Sequence, residues 1–257
     1  MASRRSAMIA LAFAFTGAAW AADDTKTRGQ CVQNAFAAKL GFTPEQKEQV
    51  AKICSDYEQK AAPVYEKTWV LQNDHRHAVL QILSTEQRAK LPEVMKAEGA
   101  KILDHFTAKL QLTDAQRKEM ERICTEYGPK YEQLADSKDS RKSEKFQELK
   151  TAHFEEMCKV LTDDQRVKLP ALIQEEMLAR TPSSKSEIRN AIVDRLGLDP
   201  EQKTRLDKVC DEFGTKIDEQ KTQIRRICKD KHAAISKVLT EEQRVKFEEY
   251  VKVDSEK

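Results

Sequence analysis

The sequence predicts an all-α protein made of three tandem helical units, each of capped amphipathic helices folded as a helical hairpin. Three observations predict it. The 257 residues are 34% charged and 6% aromatic, with seven Gly and seven Pro, a profile of long solvated helices rather than of a sandwich or barrel. One short phrase recurs, as ILSTEQRAKLP from Ile82, VLTDDQRVKLP from Val160 and VLTEEQRVKFE from Val238, with looser versions at Phe42, Leu112 and Leu198. Behind each looser version runs an apolar stripe at helical spacing.

The chain opens with residues 1–21, which read as a secretory signal peptide. Arg4 and Arg5 form a basic start, Ala7 to Trp20 is apolar, and Ala19-Trp20-Ala21 has the small-residue pattern of a cleavage site. The expected location is secreted, in a bacterial periplasm. The remaining chain has no apolar run near the ~18 residues of a membrane span, so no stable membrane insertion is expected after cleavage.

Each phrase is a helix start. A Thr, Ser or Asp followed three residues on by Gln forms a capping box. The cap oxygen accepts from the N–H three residues later, and the Gln side chain accepts from the cap's own N–H. The expected boxes are Thr43 with Gln46, Ser84 with Gln87, Thr113 with Gln116, Thr162 with Gln165, Asp199 with Gln202, and Thr240 with Gln243. Pro44 and Pro200 follow their caps at the first helical position, where a missing N–H is harmless.

The stripes repeat with the boxes. Val50, Ile53, Cys54 and Tyr57 follow Thr43; Met120, Ile123, Cys124 and Tyr127 follow Thr113; Leu206, Val209, Cys210 and Phe213 follow Asp199. The apolar members of these sets are candidates for a client-binding face or for the core between helices. Each looser box runs on to its own strong box, which divides the mature chain into unit one (22–106), unit two (107–180), a linker (181–187) and unit three (188–257). Unit two carries about eight extra residues between its boxes, read as a hairpin loop near Ser140. Pro63 and Asn73-Asp74 are candidate breaks in unit one. In unit three the near-heptad stripe of Ile217, Ile224, Cys228 and Ile235 continues past Gly214, and for units one and three both a hairpin and one continuous long helix stay open.

These phrases resemble the LTxxQ motif of the periplasmic Spy/CpxP family. Leu112 to Gln116, Leu161 to Gln165 and Leu239 to Gln243 match it fully, and the other three boxes match with one or two changes. The resemblance implies helical hairpins and an ATP-independent chaperone or envelope-stress modulator that binds partly folded or envelope proteins. It also implies a second reading, since relatives bind zinc or sense metals. This chain departs from the family pattern in holding three pairs of boxes, and a homo-oligomer remains open. Without Arg4 and Arg5, basic and acidic residues balance at 43 each, which gives no electrostatic case for nucleic acid.

No named catalytic constellation is present, so the expected protein is not an enzyme and needs no cofactor. For the metal reading, Cys228 and His232 at i and i+4 share a helical face and suit Zn or Cu; His75 and His77 are weaker candidates. The six cysteines allow fifteen pairings in an oxidising compartment. If unit two is a hairpin, Cys124 and Cys158 are nearly equidistant from its tip, and a disulfide between them is expected.

Overall fold

A computed structural model describes residues 30–135, 144–179, 182–183 and 185–252. The segment read as a signal peptide, residues 181 and 184 of the linker, and residues 136–143, where the hairpin tip of unit two is expected, lie outside them. The elements among the described residues are all helices: α1 Gln30–Leu40, α2 Pro44–Ile82, α3 Thr85–Leu110, α4 Asp114–Ala135, α5 Glu144–Val160, α6 Asp163–Ala179, α7 Glu187–Leu196, α8 Pro200–Ser236 and α9 Glu241–Val251. Among them no helix is long and apolar enough to cross a membrane.

Units one and three differ from the expected hairpins. The middle of unit one is a single helix, α2, of 39 residues, and that of unit three is α8, of 37 residues. Pro63 lies inside α2 on its exposed side, so the carbonyl its ring displaces can be solvated. Asn73-Asp74 also stays helical. The reason is tertiary: α2 and α8 pack antiparallel along each other, the most extensive pairing among the described helices. Burial along both helices outweighs the ~3 kcal/mol that a helical Pro typically costs. Ala61 and Tyr65 of α2 and Ile217 and Ile224 of α8 are buried near the middle of this pair.

The nine described helices build three copies of one four-part junction. Each copy joins a helix ending before a looser box, the helix it starts, the helix leading to a strong box, and the helix that box starts. The middle copy is contiguous: the end of α3, then α4, α5 and α6. The outer two are shared between units one and three. One takes α1, the first half of α2, the second half of α8, and α9; the other takes α7, the first half of α8, the second half of α2, and the start of α3. The latter has its own core of Val79, Ile82, Leu83, Val94, Ile192, Val193, Leu196, Leu198, Leu206 and Cys210. The other two copies share a core, with α1 lying along α6 and Phe36 edge-on to Phe247 at 5.7 Å.

The turn into each looser box has the same geometry. Gly41, Gln111 and Gly197 all sit in the left-handed region, two residues before the cap, with φ of 63°, 52° and 61°. The next residue's N–H then reaches back as in a Schellman turn: Phe42 to Ala37 O, Leu112 to Thr107 O, Leu198 to Val193 O.

Candidate functional site

All six boxes close reciprocally, but the Gln does more than complete a cap. In the middle copy Gln116 Oε1 accepts from Thr113 N at 3.0 Å, and Gln165 Oε1 accepts from Thr162 N at 2.9 Å. The two carboxamides also face each other. Gln116 Nε2 donates to Gln165 Oε1 at 2.7 Å, and Gln165 Nε2 donates back to Gln116 Oε1 at 3.1 Å. The second hydrogen of each Nε2 goes to the backbone ahead of the partner box, at Val160 O (2.8 Å) and Leu110 O (3.2 Å). Every donor and acceptor of the two amides is used.

The same pair forms twice more, across the chain. Gln46 Nε2 donates to Gln243 Oε1 at 2.7 Å and to Val238 O at 3.0 Å; Gln243 Nε2 returns bonds to Gln46 Oε1 and Leu40 O. Gln87 and Gln202 exchange bonds at 3.1 and 2.8 Å and reach Leu196 O and Ile82 O. The pairing is therefore nested: first box with sixth, second with fifth, third with fourth. The apolar residue before each cap, Phe42, Leu83, Leu112, Leu161, Leu198 or Leu239, is buried beneath the junction. Within the repeated phrase, then, the apolar residue anchors, the Thr caps, and the Gln joins two helix starts.

A second repeated feature lies farther along each copy. The ring that follows each Cys meets a side chain nine residues before the paired strong cap. Tyr127 stacks on His153 with centroids 4.5 Å apart; Phe213 is edge-on to His75 at 5.7 Å; Tyr57 lines a slot with Lys231. A lysine three residues on covers each ring: Lys130 at 4.3 Å, Lys216 at 5.3 Å and Lys60 at 4.2 Å from the centroids. The Tyr57 slot also has Glu58, Ala61, Tyr65, Ile227 and Cys228 on its walls. Sequence reasoning finds the aromatic repeat but not its partners. The signal is present, since His75, His153 and Lys231 stand at one offset from Ser84, Thr162 and Thr240.

Burial sorts the stripe residues. Val50, Met120, Ile123, Tyr127 and Leu206 are buried, whereas Ile53, Tyr57, Val209 and Phe213 are half-buried. The first group is core between helices; Tyr57 and Phe213 retain surface at the rims.

The metal candidates are dispersed. His232 is edge-on to Phe247 at 5.8 Å, Cys228 lines the Tyr57 slot, and His77 is exposed. His75 instead meets Cys210, with Nε2 3.6 Å from Sγ. Among the described residues no three His, Cys, Asp or Glu side chains gather into a metal-holding group. Burial holds His75, His153 and His232 down at about 4, so all three are neutral at pH 7. His153 is fully buried, takes a 3.3 Å contact from Tyr131 Oη at Nδ1, and has no hydrogen-bond partner at Nε2 among the described residues.

All six cysteines are free thiols. The side chain of Cys158 lies against Cys31 at the start of α1, and the expected Cys124–Cys158 bond is not formed. Cys124 is buried in the same core, where desolvation pushes its thiol up to about 12.

No protein-family model, curated protein or solved structure matches this chain.

Proposed function

We propose that this chain is a non-catalytic protein-binding protein of the periplasm, an ATP-independent chaperone or envelope-stress modulator of the LTxxQ type. The observation that carries the reading is the repeated rim, a ring beside the junction with a lysine lying over it. Tyr57 and Phe213 are half-buried there. A flexible lysine stem can swing away and expose an aromatic surface flanked by charge, which suits a partly folded segment with mixed apolar and polar character. The reading also rests on the six boxes that carry the LTxxQ resemblance.

The test is aggregation of a chemically unfolded protein in the presence of residues 22–257 at equimolar ratio. Suppression is expected, weakened when Tyr57 and Phe213 are both changed to Ser in a variant of unchanged helicity. Aggregation that proceeds as in the chain's absence would overturn the reading.

One observation favours a metal-binding alternative, the Cys210 and His75 contact. A neutral imidazole beside a thiol suits a soft ion such as Zn²⁺ or Cu⁺. Protein purified without chelator or tag would then carry stoichiometric metal, lost in Cys210→Ser. Substoichiometric metal would remove this alternative.

A further inference from the structure

Cys31 is the second residue of α1, and Cys158 is near the end of α5. The two helices meet there, and Cys31 packs on the core that holds Cys158, so that the two side chains lie against each other, with the Cys31 sulfur beside the backbone N–H groups of the helix start. Arg166 stands beside the pair, its Nε held on Cys158 O at 2.9 Å and its Nη1 on Asp163 at 2.9 Å. Cys31 is half-buried and Cys158 is buried, so a reagent meets Cys31 first.

We propose that Cys31 and Cys158 are a disulfide-forming pair that fastens α1 to α5, with Cys31 as the attacking thiol and a disulfide-bearing carrier as oxidant. The Cys31 thiolate attacks one carrier sulfur, forming a mixed disulfide and releasing the carrier's other sulfur as thiolate. Cys158 gives up its proton to that thiolate. Its sulfur then attacks Cys31 and expels the second carrier sulfur. Two thiols become one disulfide, and the carrier leaves as a dithiol.

The other thiols lack this environment. Burial raises Cys54, Cys124, Cys210 and Cys228, whereas the neighbouring Cys158, with Arg166 and the helix start, lowers Cys31. The bond would close the chain from residue 31 to residue 158. It would tie the outer junction of α1, α2, α8 and α9 to the middle one, which otherwise meets it through the α1 and α6 packing and the contacts of α9 with α6. It goes beyond the protein-binding reading and does not depend on it.

The test uses reduced, folded residues 22–257 exposed to oxidised glutathione, then alkylated and mapped without reduction by mass spectrometry. The expected result is a linked peptide pair holding residues 31 and 158. Before oxidation, Cys31 should alkylate at least ~10-fold faster than any other cysteine at pH 7. Two variants of unchanged helicity serve as controls. Cys31→Ser must abolish the linked pair, and Cys158→Ala must trap Cys31 as a stable mixed disulfide with glutathione. Free thiols at both positions after oxidation, or a link from either to another cysteine, would overturn the proposal.

Discussion

Replacing Gln46 and Gln243 by Ala, singly and together, isolates the amide pair that joins the first box to the last. The Gln46 side chain makes four hydrogen bonds. It accepts from Thr43 N at 3.0 Å, donates to Val238 O at 3.0 Å, and exchanges two bonds with Gln243 at 2.7 and 3.1 Å. A neutral hydrogen bond contributes about 0.5–1.5 kcal/mol net, and water can reach this half-buried site, so each single variant should lose about 2–3 kcal/mol. The two mutual bonds are lost once in the double variant but counted in both singles. The cycle should therefore show a coupling of about 1–2 kcal/mol between residues 197 positions apart in sequence.

The contrasting cycle is Gln46 with Gln87, the two boxes of unit one. These sit at opposite ends of the 39-residue α2, about 60 Å apart at the ~1.5 Å rise of an α-helix, and should be additive. Urea unfolding at pH 7 reads both cycles, with thermal midpoints moving about 2–4 °C per kcal/mol. Coupling of Gln46 with Gln87 and none with Gln243 would mean that each unit closes on itself, and the nested pairing would be refuted.

Two further outcomes follow from single residues. Gln111 holds the left-handed turn with φ of 52° where its two counterparts are Gly, so Gln111→Gly should raise stability by about 1 kcal/mol and Gln111→Ala should not; urea midpoints check both. His153 has its folded pKa lowered from 6.5 to about 4, so the unfolded chain binds the proton first and stability falls as pH drops from 6.5 towards 4, by about 3 kcal/mol for this group. His153→Phe should make the pH dependence of the urea midpoint shallower across that window, and an unchanged slope would show that His153 contributes none of it.

The helix starts are legible in the sequence because capping is local. A Thr and a Gln three residues apart satisfy each other wherever the chain puts them, and the six boxes need no tertiary information. Which box meets which is not legible, because all six Gln present the same carboxamide. Length decides it, through whether the chain between two boxes can turn. Pro63 and Asn73-Asp74 look like breaks in one dimension, yet Pro63 faces water and its helix is held from the other side by α8. The cysteine partner is hidden for a related reason. Cys124 and Cys158 look matched across the unit-two loop, but α1 comes from outside that unit and brings Cys31 to Cys158. The stripes are legible as helical faces, but the spacing alone cannot separate Leu206, fully buried, from Phe213 at a rim.

The lengths also say why units one and three share their junctions while unit two keeps its own. The 22 residues of α4 and the 17 of α5 together equal the 39 of α2, so residues 136–143 stand where α2 runs straight on. With them, unit two folds back and Thr113 meets Thr162. Without them, a straight helix holds its two boxes at opposite ends, and each must find a box elsewhere. Units one and three solve this for each other, as two hairpins that have opened at their tips and exchanged halves within one chain. Deleting residues 136–143 should make unit two run straight as well. Its boxes would then have no partner in the same chain, because Gln46, Gln87, Gln202 and Gln243 are already paired. A second copy can supply them, in the arrangement that α2 and α8 already adopt. The expected result is a dimer at twice the monomer mass by light scattering, with undiminished helicity. Gln116→Ala should then weaken the dimer rather than only lower the thermal midpoint. A deletion variant that stays monomeric with full helicity and retains the coupling of Gln116 with Gln165 would refute the length argument, because unit two would then turn without those residues.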